Sequence, residues 1–149
     1  MPSSMLLSPD TSPGICELIV IAHLTFSDHI VFVDIDDTLI DSNTLSLNLH
    51  VYRIYRLLQS KGCRMVIITA REFSTDSLQY TKTQLSDHRI TFDKLYLRPE
   101  SMTNPYVFKE YYRALEVELT GKKPLCSIGD QLWDIGPGYA GIPILVKRT

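Results

Sequence analysis

IVFVDIDDTLIDS, residues 30–42, is the stretch on which the reading of this chain turns. Its opening, IVFVDI at 30–35, is short, nearly continuous in apolar residues and rich in β-branched side chains. That pattern predicts a strand buried on both faces of a parallel sheet. The part that follows crowds Asp34, Asp36 and Asp37 into four residues. Such crowding is costly unless a cation or paired bases neutralise it, so something positive is expected there.

Working outward, NLHVYRIYRLLQSKG at 48–62 places Leu49, Val51, Ile54, Tyr55 and Leu58 at helical spacing, with Lys61 and Gly62 as a stop signal. RMVIITA, after it, reads as a second buried strand. A polar helix is expected at about 75–86, a strand in KLYLR at 94–98, and a helix at about 105–120 ended by Gly121. Strands are expected in LCSIG at 125–129 and IPILVK at 142–147. This alternation predicts an α/β fold: a doubly wound, Rossmann-like parallel sheet of about five strands with helices on both faces. Ser12 followed by Pro13 resembles a helix start, so residues 1–29 are read as an N-terminal helical extension and 30–149 as the main domain.

The whole chain, 149 residues and 17.0 kDa, fits one ordinary domain. Fifteen basic residues stand against 17 acidic ones, and none of the basic ones precedes Arg53, whereas seven acidic residues do. A globally basic footprint for nucleic acid is therefore absent. The start carries neither the positive region of a signal peptide nor an Arg-rich transit pattern, and LIVIAHLTF at 18–26 is too short to span a bilayer. No membrane association is expected, and the residence expected is cytoplasmic. Cys16, Cys63 and Cys126 are odd in number and widely spaced, which argues against a disulfide framework or a zinc site; Cys126 reads as a small core residue. His23, His29, His50 and His88 lack metal-ligand spacing.

Polar residues follow each apolar strand: Asp34, Asp36 and Thr38 after the first, Thr69 and Arg71 after the second, Arg98 after the third, Gly129 and Asp130 after the fourth. In an open parallel sheet these ends share one edge, where ligands bind. Taken singly, any of them reads as a cap or turn residue. Three carboxylates around one strand end exceed what capping needs.

VFVDIDDTLIDS at 31–42, VIITAR at 66–71, FKEYYR at 108–113 and SIGDQLWDI at 127–135 resemble, in order, the four motifs of the haloacid dehalogenase (HAD) superfamily of phosphohydrolases. The resemblance spans 31–147, and KLYLRPE at 94–100 makes it look most like the class B and plant-storage-protein branch of acid phosphatases. It implies that Asp34 is the nucleophile forming an aspartyl-phosphate, and that Asp36 first protonates the leaving group and then activates water. It further implies Mg²⁺ held by Asp34, the Asp36 backbone carbonyl and Asp130. It also implies that Asp134, counted with the metal site, orients Lys109 or a metal-bound water, that Lys109 neutralises the phosphoryl group and the nucleophile, and that Thr69 donates to a phosphoryl oxygen.

Asp37 reads as the turn residue after the acid. Arg71 and Arg98 either contact substrate or anchor loops, and Trp133 and Tyr139 either line the entrance or pack in the core. Against the phosphomonoesterase stand a receiver-type module, disfavoured by motif order, a polynucleotide 3′-phosphatase, and a non-catalytic phosphate-binding descendant of the same fold. About 30 residues before the first motif and no evident export signal depart from the class B pattern. Neither Asp37–Asn48 nor Pro99–Asn104 is long enough for a cap domain. An open site is therefore expected, suited to a phosphate on a larger molecule, nucleic acid among the substrates considered, or to closure by a second copy in a homo-oligomer.

Overall fold

The computed structural model describes residues 5–7 and 26–147. The elements run β1 (Met5–Leu7), β2 (His29–Val33), α1 (Leu49–Ser60), β3 (Arg64–Glu72), α2 (Thr75–Asp87), β4 (Lys94–Arg98), α3 (Pro105–Thr120), β5 (Lys123–Gly129), α4 (Leu132–Ile135) and β6 (Ile142–Val146). The strands form a single sheet in the order β1-β6-β5-β2-β3-β4, with every pairing parallel. This is the α/β, Rossmann-like architecture expected. The five strands read from the sequence are β2 to β6, and three-residue β1 adds to the edge beside β6. The helix expected from Ser12 to His23 lies outside the described residues, as does Cys16.

Period-2 geometry sends Val31 and Val33 to one face of β2, and Ile30 and Phe32 to the other. The first face packs with Met65, Ile67, Cys126 and Ile128 against Val51, Ile54, Tyr55 and Leu58 of α1. The second packs with Val66 and Ile68 against Phe108 of α3. Each central strand is thus covered twice, which is why its sequence reads as a continuous apolar run. Asn48, Ser74 and Asn104 each accept backbone amides at the starts of α1, α2 and α3. Gly121 closes α3 in the left-handed region at φ 69°.

From β2 the chain steps to β3 and β4 on one side, then returns to β5 and β6 on the other. The reversal falls between the carboxyl ends of β2 and β5, the place where such sheets bind ligands. Fifteen residues, 34–48, join β2 to α1, and six, 99–104, join β4 to α3; neither holds a cap domain. Among the described residues, no helix is long and apolar enough to cross a membrane.

The first strand was expected to run to Ile35, but it ends at Val33. The Asp34 amide still donates to Ile128, after which the Ile35 carbonyl accepts the amides of Thr38, Leu39 and Ile40 and the chain turns. Asp37 takes φ 61° in this turn, and its carboxylate accepts from the amide and hydroxyl of Ser42. It is a turn residue, as expected.

Candidate active site

Asp34 leaves the end of β2 with its side chain only 10% exposed. Lys109, in the second turn of α3, reaches it across the sheet edge. Its Nζ donates to Asp34 Oδ1 at 3.0 Å and to the Ile68 carbonyl, and it lies 2.6 Å from Asp134 Oδ1. A lysine 2% exposed inside a helix is not a solvated surface charge. Two carboxylates and a carbonyl replace the water it has lost.

Asp134 stands on α4, where its other oxygen accepts the Gln131 amide at 3.1 Å. Gly129 makes this placement available: a Cβ there would lie 2.1 Å from the Asp134 Cβ. The glycine serves close approach rather than a left-handed turn. Asp130, half-buried, follows β5 directly. Thr38, fully buried, offers its hydroxyl to Asp34 Oδ2 at 3.4 Å and to Asp130 Oδ1 at 3.5 Å. Thr69, also fully buried, accepts the Arg71 amide at 3.2 Å, which leaves its hydroxyl proton available to a ligand.

Asp34, Asp130 and Asp134 each offer an oxygen within 4.8 Å of the others, an arrangement that can hold a metal ion; among the described residues no histidine joins them. The electrostatics agree. Burial, with Asp134 and Asp36 adding to it against the pull of Lys109, pushes Asp34 up to about 6. Burial and the Asp34 charge push Asp130 up to about 6 as well, and burial raises Asp134. Burial acts to lower Lys109, but Asp34 and Asp134 outweigh it and the ammonium is held charged. One lysine against three carboxylates leaves a buried negative excess. A hard cation with oxygen ligands is the group this donor set fits.

Asp36 is placed differently from Asp34. In an extended strand both carboxylates would face the same way, but the turn at Ile35 carries Asp36 toward Arg71. Arg71 Nε and Nη2 donate to its two oxygens at 3.0 and 2.8 Å. Arg71 also donates to the Thr81 hydroxyl at 3.1 Å and stands over the Tyr80 ring at 5.8 Å. The Asp36 carboxylate is therefore bound to Arg71 and is not among the three that gather. Arg98 donates to the carbonyls of Ala70 and Met102, so it anchors loops.

Arg113 carries no role in the sequence reading, yet it shapes the site. It is 1% exposed and donates to the carbonyls of Gly138 at 2.8 Å, Trp133 at 3.0 Å and Asp134 at 3.4 Å. One turn before it on α3, Lys109 takes the Asp134 side chain, so α3 grips Asp134 by both side chain and backbone. The signal was the spacing i, i+4 in FKEYYR. Trp133 lies half-buried at the rim, its ring edge-to-face with Tyr106, and Tyr139 is exposed.

No family model matches the chain, and no curated protein matches it significantly. Among solved structures, a chain of the Pnkp1/Rnl/Hen1 complex is similar to it with a TM-score of 0.61 at 19% identity. The similarity covers 84% of this chain and 51% of that one, so the present chain spans about half the length of this neighbour. At that identity the likeness is one of fold. The fold and site together define an α/β protein with a buried acidic cluster at the switch point of a parallel sheet.

Proposed function

We propose that the protein is a Mg²⁺-dependent phosphomonoesterase of HAD type. The observation that carries this reading is the contact of Lys109 with Asp34: a nucleophile-type carboxylate held beside a buried ammonium, with two further aspartates around it. Asp34, Asp130 and Asp134, with the Asp36 carbonyl, are the groups offered to Mg²⁺, which when bound would offset the repulsion between carboxylate and phosphate.

In the first step Asp34 attacks phosphorus in line. The bond to the leaving oxygen breaks, that oxygen takes a proton from Asp36, and an aspartyl-phosphate remains. In the second step Asp36 removes a proton from water, whose oxygen attacks phosphorus, giving inorganic phosphate and free Asp34. Lys109 and Thr69 bear on the equatorial oxygens. Arg71 also binds the phosphoryl group, and the Arg71–Asp36 pair opens as the phosphate arrives, leaving Asp36 free to exchange its proton.

Two short connections, neither holding a cap domain, favour a phosphate at the end of a large molecule over a small metabolite. The polynucleotide 3′-phosphatase is the form of this reading that the open site and the fold neighbour, itself part of a multi-protein complex, support. Hydrolysis of a phosphomonoester panel tests the proposal. Activity is expected with Mg²⁺, and it is expected to disappear in chelator and in Asp34→Asn. Full activity in either would contradict it.

A further inference from the structure

The catalytic edge carries an aromatic pair that phosphate chemistry leaves unused. Tyr106 and Trp133 meet with ring centroids 5.7 Å apart and planes at 80°. Tyr106 stands three residues before Lys109 on α3, so it projects from the same side of the helix about one turn nearer the sheet edge. Trp133 adjoins Asp134 on α4. The two helices are therefore joined twice, by the buried Lys109–Asp134 ion pair at 2.6 Å and, further out, by the two rings. Tyr106 is 43% exposed and Leu132 beside Trp133 is 61% exposed, so this part of the rim presents apolar surface to water.

We propose that the Tyr106 ring, braced edge-to-face by Trp133, stacks the nucleobase adjoining the scissile phosphate of a polynucleotide end. The inference rests on the phosphatase reading and names its substrate class. With no cap over the site, selection among phosphates falls to its surroundings, and there the Tyr106 ring is 43% exposed. Every base has a π-face, so such a platform accepts any of them. The helical turn between Tyr106 and Lys109 requires a spacer between the flat group and the phosphoryl group. In a nucleotide the sugar is that spacer, whereas an aryl phosphate joins its ring to the phosphate oxygen directly.

The test compares a short 3′-phosphorylated oligonucleotide, the same strand with an abasic terminal sugar, and glycerol phosphate. Tyr106→Ala is expected to lose about five- to a hundredfold more in kcat/KM on the intact strand than on the abasic one, through KM, with Tyr106→Phe restoring it. Trp133 is the sole tryptophan of the chain, so its emission reports the platform without turnover. In Asp34→Asn the intact strand is expected to quench it and the abasic strand is not. Equal losses on both strands, or quenching by phenyl phosphate but not by the oligonucleotide, would overturn the proposal. If no phosphate is hydrolysed, the phosphatase reading fails while the quenching comparison still decides the platform: quenching by the intact strand alone supports it, and equal emission with both strands overturns it.

Discussion

Lys109 Nζ sits between Asp34 and Asp134, 3.0 Å from one carboxylate and 2.6 Å from the other, with none of the three side chains more than 10% exposed. Removing one partner from a buried ionic group leaves uncompensated charge, which costs about 3–5 kcal/mol. Lys109→Met is therefore expected to lower unfolding free energy by about that much at alkaline pH without metal. The cost should shrink near pH 5, because Asp34, pushed up to about 6, then takes up a proton. Urea unfolding at the two pH values measures both; an equal cost at each would reject the electrostatic explanation.

Asp34 and Asp130 are both raised from 3.8 to about 6, chiefly by burial. Between these values the native state binds more protons than the unfolded chain, so without metal its stability falls as pH rises from about 4 to 7. A divalent cation competes with those protons. The gain in Tm on adding Mg²⁺ is expected to be larger near pH 7.5 than near pH 5. Thermal unfolding with and without Mg²⁺ checks the sign, and a larger gain at the acidic value would contradict it.

Asp36, held by Arg71 at 2.8 and 3.0 Å, is assigned the proton transfers. Asp36→Asn is expected to slow esters with poor leaving groups by about 10²–10⁴, and those with good leaving groups far less. Metal affinity should hold, since the backbone carbonyl is unchanged. A rate series across leaving groups decides this: a flat loss would remove Asp36 from the acid role.

Arg113 touches no reacting group, and its guanidinium fixes the backbone of Trp133, Asp134 and Gly138. Loss of such supporting contacts around a metal site typically costs 10–100-fold in affinity. Arg113→Met is expected to weaken Mg²⁺ binding by about that factor, with Arg113→Lys intermediate. Calorimetric titration reads it directly, and unchanged affinity in a folded Arg113→Met protein would show that Asp134 is held without the clamp.

What the sequence showed and what it hid follow from the same physics. Strands covered on both faces and helices with Asn, Ser or Gly at their ends carry their structure in side-chain type, so β2 to β6 and α1 to α3 were legible. Met5–Leu7 is three residues at a sheet edge, too short for any pattern. Asp34, Lys109, Asp130 and Asp134 were legible as spaced motifs, and the fold brings them together. The placement of Asp36 was not, because it depends on the Ile35 carbonyl ending the strand. Arg113 stayed hidden because its partners are carbonyls, which every residue has. Taken singly, Gly129 reads as a turn residue, whereas the approach of Asp134 is what demands a glycine there.

In the proposed mechanism it is Asp34 that carries the phosphoryl group. Rapid acid quench of the protein during turnover of a ³²P-labelled phosphomonoester, followed by peptide mapping, addresses it most directly. Label bound as an acyl phosphate at Asp34, lost on treatment with hydroxylamine and missing from Asp34→Asn, is the predicted result. Turnover with no labelled protein at any quench time, or label on another residue, would rule out Asp34 as the nucleophile.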